Sequence, residues 1–110
     1  MTKPRQARGN CFERTFKLMM AFDDRSAFHL VHGIVWHPDV GYHVHAWIEN
    51  DSHCLDYVGR RLCAVEKSQY YRIGKIKKGK TQLYKFSRAQ AIARANETGR
   101  YDFTELPCSQ

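Results

Sequence analysis

Three residues that could form a thiol-based catalytic site lie in the first half of the chain: Cys11, His45 and Asp56. A thiol becomes a useful nucleophile when its thiolate is stabilised and a neighbouring imidazole can take up its proton. A carboxylate on the far side of that imidazole fixes the tautomer and the orientation of the ring. Together these residue types indicate acyl transfer or hydrolysis through a covalent thioester on the cysteine.

Cys11 stands where the sequence pattern predicts the start of a helix. Apolar residues such as Phe12 and Phe16 recur at helical spacing over residues 10–22, and Asn10 is a favourable N-cap. The first turn of a helix carries unpaired N–H groups and the positive end of the helix dipole. We therefore expect these groups to stabilise a Cys11 thiolate and to help form an oxyanion hole.

His45 and Asp56 lie on consecutive predicted strands, which are joined by the turn-rich tetrapeptide Asn-Asp-Ser-His. If this tetrapeptide is a four-residue hairpin loop, Glu49 pairs with Cys54, and Asp56 shares a sheet face with His45. Their Cα atoms are then about 7–8 Å apart on a diagonal, a distance that side chains can bridge. A register slip of one residue would turn Asp56 to the opposite face, so this placement depends on the loop.

The surrounding pattern predicts an α+β fold. A flexible basic arm, residues 1–9, precedes a single domain over residues 10–110. We expect the N-terminal helix to pack on an antiparallel sheet of about four strands, with a C-terminal helix between Ser87 and Gly99 completing the layer. The predicted strands cover residues 27–36, 42–49, 54–58 and 81–86, and the two later helices cover residues 66–74 and 88–98.

The order of these residues resembles the transglutaminase-like branch of the papain-like cysteine enzyme superfamily. The matching features are a cysteine at a helix start, His-Ala-Trp-Ile-Glu (45–49) on a strand, and Cys-Leu-Asp (54–56) on the next strand. The likeness covers residues 10 to about 58. The sequence also resembles small phage and bacterial proteins that have the same arrangement. The resemblance implies a papain/transglutaminase-like core, with the nucleophile on Cys11, the base on His45 and the orienting carboxylate on Asp56. It also implies a peptidase, amidase or deamidase type of activity on a protein or peptide substrate.

The composition is that of an ordinary globular protein. No apolar run approaches the roughly 18 residues of a membrane-spanning helix, and no apolar segment follows the charged N-terminus as it would in a secretory signal. We therefore expect a cytoplasmic protein with no membrane partner, whose four cysteines are free thiols. Cys63 and Cys108 are interpreted as structural thiols.

An excess of basic residues leaves a second function open. Eighteen lysines and arginines oppose eleven acidic residues, which gives a net charge of +7. Such a surface can serve solubility alone, or it can capture an acidic protein or a nucleic acid without catalysis. The adjacent tyrosines at 70 and 71 could stack on bases or lie on the surface. The chain is therefore either a thiol enzyme or a binding or inhibitor protein. In the second case the basic binding patch would comprise Lys75, Lys77, Lys78 and Lys80.

A metal site is a third alternative. His43 and His45 form a His-x-His pair on one strand face, and Cys54 lies on the next strand. No fourth ligand stands at a diagnostic spacing. We therefore predict no metal and no cofactor, and we assign solvated or packing roles to the other histidines, His29, His32, His37 and His53.

Overall fold

The computed structural model describes residues 3–23, 25, 27–76 and 83–102, and for residues 3–10 it describes the backbone alone. Over these residues three helices accompany one antiparallel sheet of five strands, in the order β4-β3-β2-β1-β5. The predicted α+β class is confirmed, although the sheet has one strand more than expected. In chain order the elements are α1 (Lys3–Met20), β1 (His29–His37), β2 (Gly41–Glu49), β3 (His53–Val58), β4 (Arg61–Glu66), α2 (Lys67–Ile73), β5 (Leu83–Phe86) and α3 (Arg88–Thr98).

The first helix begins earlier than the sequence pattern predicts. α1 starts at Lys3, so the predicted helix start at Asn10 is wrong, and residues 3–9 are helical rather than a flexible arm. Pro4 is compatible with this start, because the N–H that proline lacks would have no partner in the first turn of a helix. Cys11 is consequently the ninth residue of α1 and lies in the helix interior.

Helices cover both faces of the sheet. Because side chains alternate along each strand, neighbouring residues of one strand pack on opposite faces. On one face α1 and α3 contribute Met19 and Ala91 to a buried cluster with Ile48 of β2. On the other face α2 contributes Tyr71, which packs with Trp47 of β2. β2 thus supplies buried side chains to two cores.

The loop between β2 and β3 has the predicted register, with Glu49 opposite Cys54. The side chain of Asn50 fixes this loop, because its Oδ1 accepts hydrogen bonds from the backbone N–H groups of Ser52 (2.9 Å) and His53 (2.8 Å). An asparagine that binds the backbone two residues ahead is a recurrent turn former. The loop therefore sets which face of β3 carries Asp56.

The last helix is confirmed with both of its predicted ends. Ser87 and Gln90 form the capping box, and Gly99 ends α3 in the left-handed conformation at φ 71°. The predicted short helix at 66–74 is also present as α2. Of the predicted strand 81–86, the described part forms β5, and residues 81–82 lie outside the described residues.

A buried histidine gives the fold a testable pH dependence. His32 is fully buried between the rings of Phe12 and Phe86, whose centroids lie 4.9 and 5.7 Å away. Burial, reinforced by the nearby charge of His45, lowers the pKa of His32 from 6.5 to about 4. The unfolded chain therefore binds a proton near pH 6.5 that the folded chain takes up only near pH 4.

We expect His32 to remove up to about 3 kcal/mol of folding stability as the pH falls from 6.5 to 4. Urea unfolding of the wild-type protein and of His32→Leu at several pH values measures this contribution as the difference between the two curves. The variant should lose less stability than the wild type over this range. Parallel curves would contradict the burial of a neutral imidazole.

Candidate active site

The three residues that the sequence singles out meet in space. Cys11 Sγ lies 3.2 Å from His45 Nδ1, and His45 Nε2 lies 3.0 and 2.9 Å from the two carboxylate oxygens of Asp56. The imidazole therefore stands between the thiol and the carboxylate, with a different nitrogen facing each. Cys11 is only 7% exposed and the side chain of His45 is 18% exposed, so the site is largely enclosed.

Cys11 reaches His45 along the edge of β2 that faces β3, beyond the last residue pair between these two strands. Along residues 41–58 the ladder between β2 and β3 contains two pairs, Ile48 with Leu55 and Glu49 with Cys54. Further along β2, the carbonyl of Ala46 accepts a hydrogen bond from Thr15 Oγ1 at 3.3 Å and lies 3.6 Å from Cys11 Sγ. A backbone carbonyl at this edge is thus satisfied by α1 rather than by a neighbouring strand. The helix docks at the edge and brings its thiol alongside the ring.

The predicted activation of Cys11 by a helix N-terminus is wrong. An N–H inside an α-helix donates to the carbonyl four residues earlier, so the Cys11 N–H is used within α1 and cannot serve as the predicted oxyanion donor. The free N–H groups of the first turn begin eight residues earlier, about 12 Å away at a rise of 1.5 Å per residue. Any stabilisation of a thiolate must come from side chains instead.

His45 can supply that stabilisation. Burial alone would lower its pKa, but the hydrogen bonds with Asp56 and Cys11, together with the charges of those groups, outweigh burial and raise the pKa from 6.5 to about 10. This shift favours the imidazolium form, which has one N–H for each partner. The contacts place the imidazole between a thiol and a carboxylate.

Tyr70, on α2, is a member of the site that the sequence analysis missed. Its hydroxyl donates to Asp56 Oδ2 at 2.7 Å. Its ring lies 5.2 Å from the ring of Trp47, which in turn stacks near His45 at 6.3 Å. The sequence suggests only a base-stacking or surface role for this tyrosine. No spacing signal connects a residue on α2 with a carboxylate two elements earlier.

A second buried carboxylate lies beside the first. Glu49 is 2% exposed and accepts hydrogen bonds from Trp47 Nε1 at 2.9 Å and from the Tyr71 hydroxyl at 2.9 Å. Burial tends to raise its pKa, but these donors and two ammonium groups outweigh burial and lower it. The ammonium groups, at 3.1 and 3.0 Å from Oε2, are those of Lys67 and Lys85. The tryptophan and the glutamate of the His-Ala-Trp-Ile-Glu motif therefore bind each other.

The predicted alternative of a metal site at His43, His45 and Cys54 is not supported. The Cys54 thiol donates to Glu49 Oε1 at 3.6 Å, and burial together with the charge of Glu49 raises its pKa to about 12. It is therefore a protonated thiol committed to another partner. In the part of the chain that the structure describes, no three His, Cys, Asp or Glu residues are placed to hold a metal ion.

The predicted basic patch is described only at Lys75. Its ammonium group lies 4.0 Å above the ring of Trp36, a cation–π contact. Lys77, Lys78 and Lys80 lie outside the described residues, as does Cys108. Cys63 is a half-buried free thiol on β4.

No protein-family model, no curated protein and no solved structure matches this chain. The interpretation of the site therefore rests on the geometry of the chain itself. None of the helices among the described residues is long and apolar enough to span a membrane.

The Glu49 cluster yields a prediction about stability. Glu49→Gln removes the charge that the two lysines and the buried donors share, and we expect it to cost about 3 kcal/mol at pH 7. The control is Glu97→Gln on α3, whose carboxylate is 74% exposed and which should change stability by less than about 0.5 kcal/mol. Urea unfolding measures both.

The sign of the pH effect follows from the lowered pKa of Glu49. Its contribution is present above the unfolded value of 4.5 and is lost as the pH falls through the lower folded value. The difference between wild type and Glu49→Gln should therefore shrink below pH 4.5. Equal stability of the two proteins at pH 7 would show that the cluster does not stabilise the fold.

Proposed function

We propose that this protein is a cysteine-dependent hydrolase or acyl transferase that acts on amide bonds through Cys11, His45 and Asp56. The observation that carries the proposal is the contact of the thiol and the carboxylate with opposite nitrogens of one imidazole, at 3.2 Å and 2.9 Å. The resemblance to the transglutaminase-like branch of the papain-like superfamily supports the same roles, and it suggests a protein or peptide substrate.

The chemistry follows from the charge states at the site. The Cys11 thiolate attacks the carbonyl carbon of an amide, and the carbonyl electron pair moves onto oxygen. As the tetrahedral intermediate collapses, the proton on His45 Nδ1 passes to the leaving nitrogen, so that an amine departs and a thioester remains on Cys11. Neutral His45 then takes a proton from water or from an acceptor amine, which attacks the thioester and regenerates the thiol site.

Asp56 keeps the ring in position during both proton transfers. Its carboxylate accepts from His45 Nε2, which directs Nδ1 toward Cys11 and stabilises the imidazolium. The buried setting strengthens this interaction, because few water molecules compete for the carboxylate.

The first test of this proposal is the reactivity of the thiols. Cys11 should react with iodoacetamide faster than Cys63 at pH 6.5, because the His45 ring lies 3.2 Å from its sulfur and can take up its proton. Cys54 should remain unmodified, since its pKa is raised to about 12. His45→Ala should slow the Cys11 reaction by about ten-fold or more at this pH. Peptide mass spectrometry measures all three thiols in one sample. Equal rates at Cys11 and Cys63, unchanged by His45→Ala, would contradict the activation of Cys11 by His45.

The second test is the covalent intermediate. An activated ester, p-nitrophenyl acetate, needs no help for its leaving group and should transfer its acetyl group to Cys11 as a thioester that hydroxylamine removes. Cys11→Ala should form no such adduct, and Asp56→Asn should form it at least about ten-fold more slowly, because the ring loses its orienting partner. Intact-protein mass spectrometry follows the adduct.

The same variants distinguish the proposed enzyme from the alternative, a binding protein that uses its basic surface. If the wild type forms no thioester and Cys11→Ala has no effect on the biological activity, the enzyme proposal fails. Charge reversal at the basic patch should then weaken capture of an acidic partner. The residues to reverse together are Lys75, Lys77, Lys78 and Lys80.

A further inference from the structure

We propose that Tyr70 is a positioning residue of this site, whose hydroxyl holds the Asp56 carboxylate in the orientation in which it faces His45. The inference rests on the proposed function and extends its contact chain by one member, from Cys11 through His45 and Asp56 to Tyr70. It gives α2, the shortest helix among the described residues, a part in the chemistry of a thiol on α1.

The contact between Tyr70 and Asp56 has the length of a strong hydrogen bond. The hydroxyl oxygen lies 2.7 Å from Asp56 Oδ2, near the upper end of the range for an O–H donor on a charged oxygen. Both carboxylate oxygens also lie within 3.0 Å of His45 Nε2. With the imidazole as its sole donor, the carboxylate could turn about its broad terminal torsion. A second donor from a different element restricts that rotation.

Trp47 keeps Tyr70 and His45 at a fixed spacing. Its indole contacts the Tyr70 ring at 5.2 Å and the His45 ring at 6.3 Å, and its N–H is bound to Glu49. Burial and the charge of Asp56 raise the pKa of Tyr70 well above 10, so the phenol keeps its proton and remains a donor. The Tyr70 hydroxyl therefore remains a hydrogen-bond donor, and its ring is held by packing against Trp47.

The neighbouring residue provides a matched control. Tyr71 lies on the same helix and donates its hydroxyl to the other buried carboxylate, Glu49, at 2.9 Å. Replacing either tyrosine by phenylalanine removes one hydroxyl from one buried carboxylate and keeps the ring. The two changes are alike in their chemistry and differ in whether the affected carboxylate touches His45.

The experiment measures the rate of Cys11 alkylation by iodoacetamide at pH 6.5 and pH 9. We expect Tyr70→Phe to lower the rate about ten-fold at pH 6.5, the factor that corresponds to one hydrogen bond with a charged acceptor. At pH 9 the loss should almost vanish, because thiols ionise there without help from an imidazolium. Tyr71→Phe should leave the rate unchanged at both pH values, even where it lowers the melting temperature.

A double variant shows whether Tyr70 acts through Asp56. Tyr70→Phe should have no further effect in a protein that already carries Asp56→Asn, because the group it positions is gone. Additive losses, equal slowing by Tyr70→Phe and Tyr71→Phe, or an unfolded Tyr70→Phe protein would each overturn the proposal. If Asp56→Asn alone leaves the alkylation rate unchanged, the proposed function itself fails. A slow Asp56→Asn with a normal Tyr70→Phe removes only the role of Tyr70.

Discussion

Two buried carboxylates on neighbouring strands impose the strongest constraint on this structure. A charge removed from water is costly unless hydrogen bonds or opposite charges replace its solvation. Glu49 and Asp56 meet this requirement in part through α2, which supplies Lys67 and Tyr71 to the first and Tyr70 to the second. The position of α2 against the sheet is thus set by electrostatics as well as by apolar packing. Trp47 lies between the two carboxylate clusters and takes part in both.

The opposite side of the site depends on an incomplete strand pairing. A fully paired β2 would direct its edge carbonyls to β3, whereas the Ala46 carbonyl is bound by Thr15 of α1. This edge contact explains how a helix on one face of the sheet presents a thiol to a histidine whose neighbours on the strand, His43 and Trp47, belong to the other face. The apolar contacts of Phe12 with Val44 and Ala46 hold the helix there. Packing and the backbone hydrogen bond to Ala46 therefore place the Cys11 thiol, and no helix end is involved.

What the sequence predicts well is what short-range chemistry determines. The Asn50 turn fixes one register, and that register puts Asp56 on the face of His45. The start of α1 escaped prediction because Pro4 is as typical of a first helical turn as of a loop. The predicted strands do not include β4, although Gly59 at φ 64° and the pairing of Val58 with Arg61 form a two-residue hairpin turn. Tyr70 could not be predicted, because its contact with Asp56 depends on how α2 packs.

His32 and His45 have opposite pKa shifts, although both lie inside the fold. The contacts of His45 with Asp56 and Cys11 raise its pKa to about 10, whereas burial and, second, the charge of His45 lower the pKa of His32 to about 4. Protonation of His32 would place a second positive charge in the interior, near the first. The folded state therefore takes up this proton less readily than the unfolded state, so the free energy of unfolding decreases as the pH falls below 6.5. Burial is the larger cause and the charge of His45 adds to it, so acid lowers the stability of the fold through His32 while His45 keeps its proton.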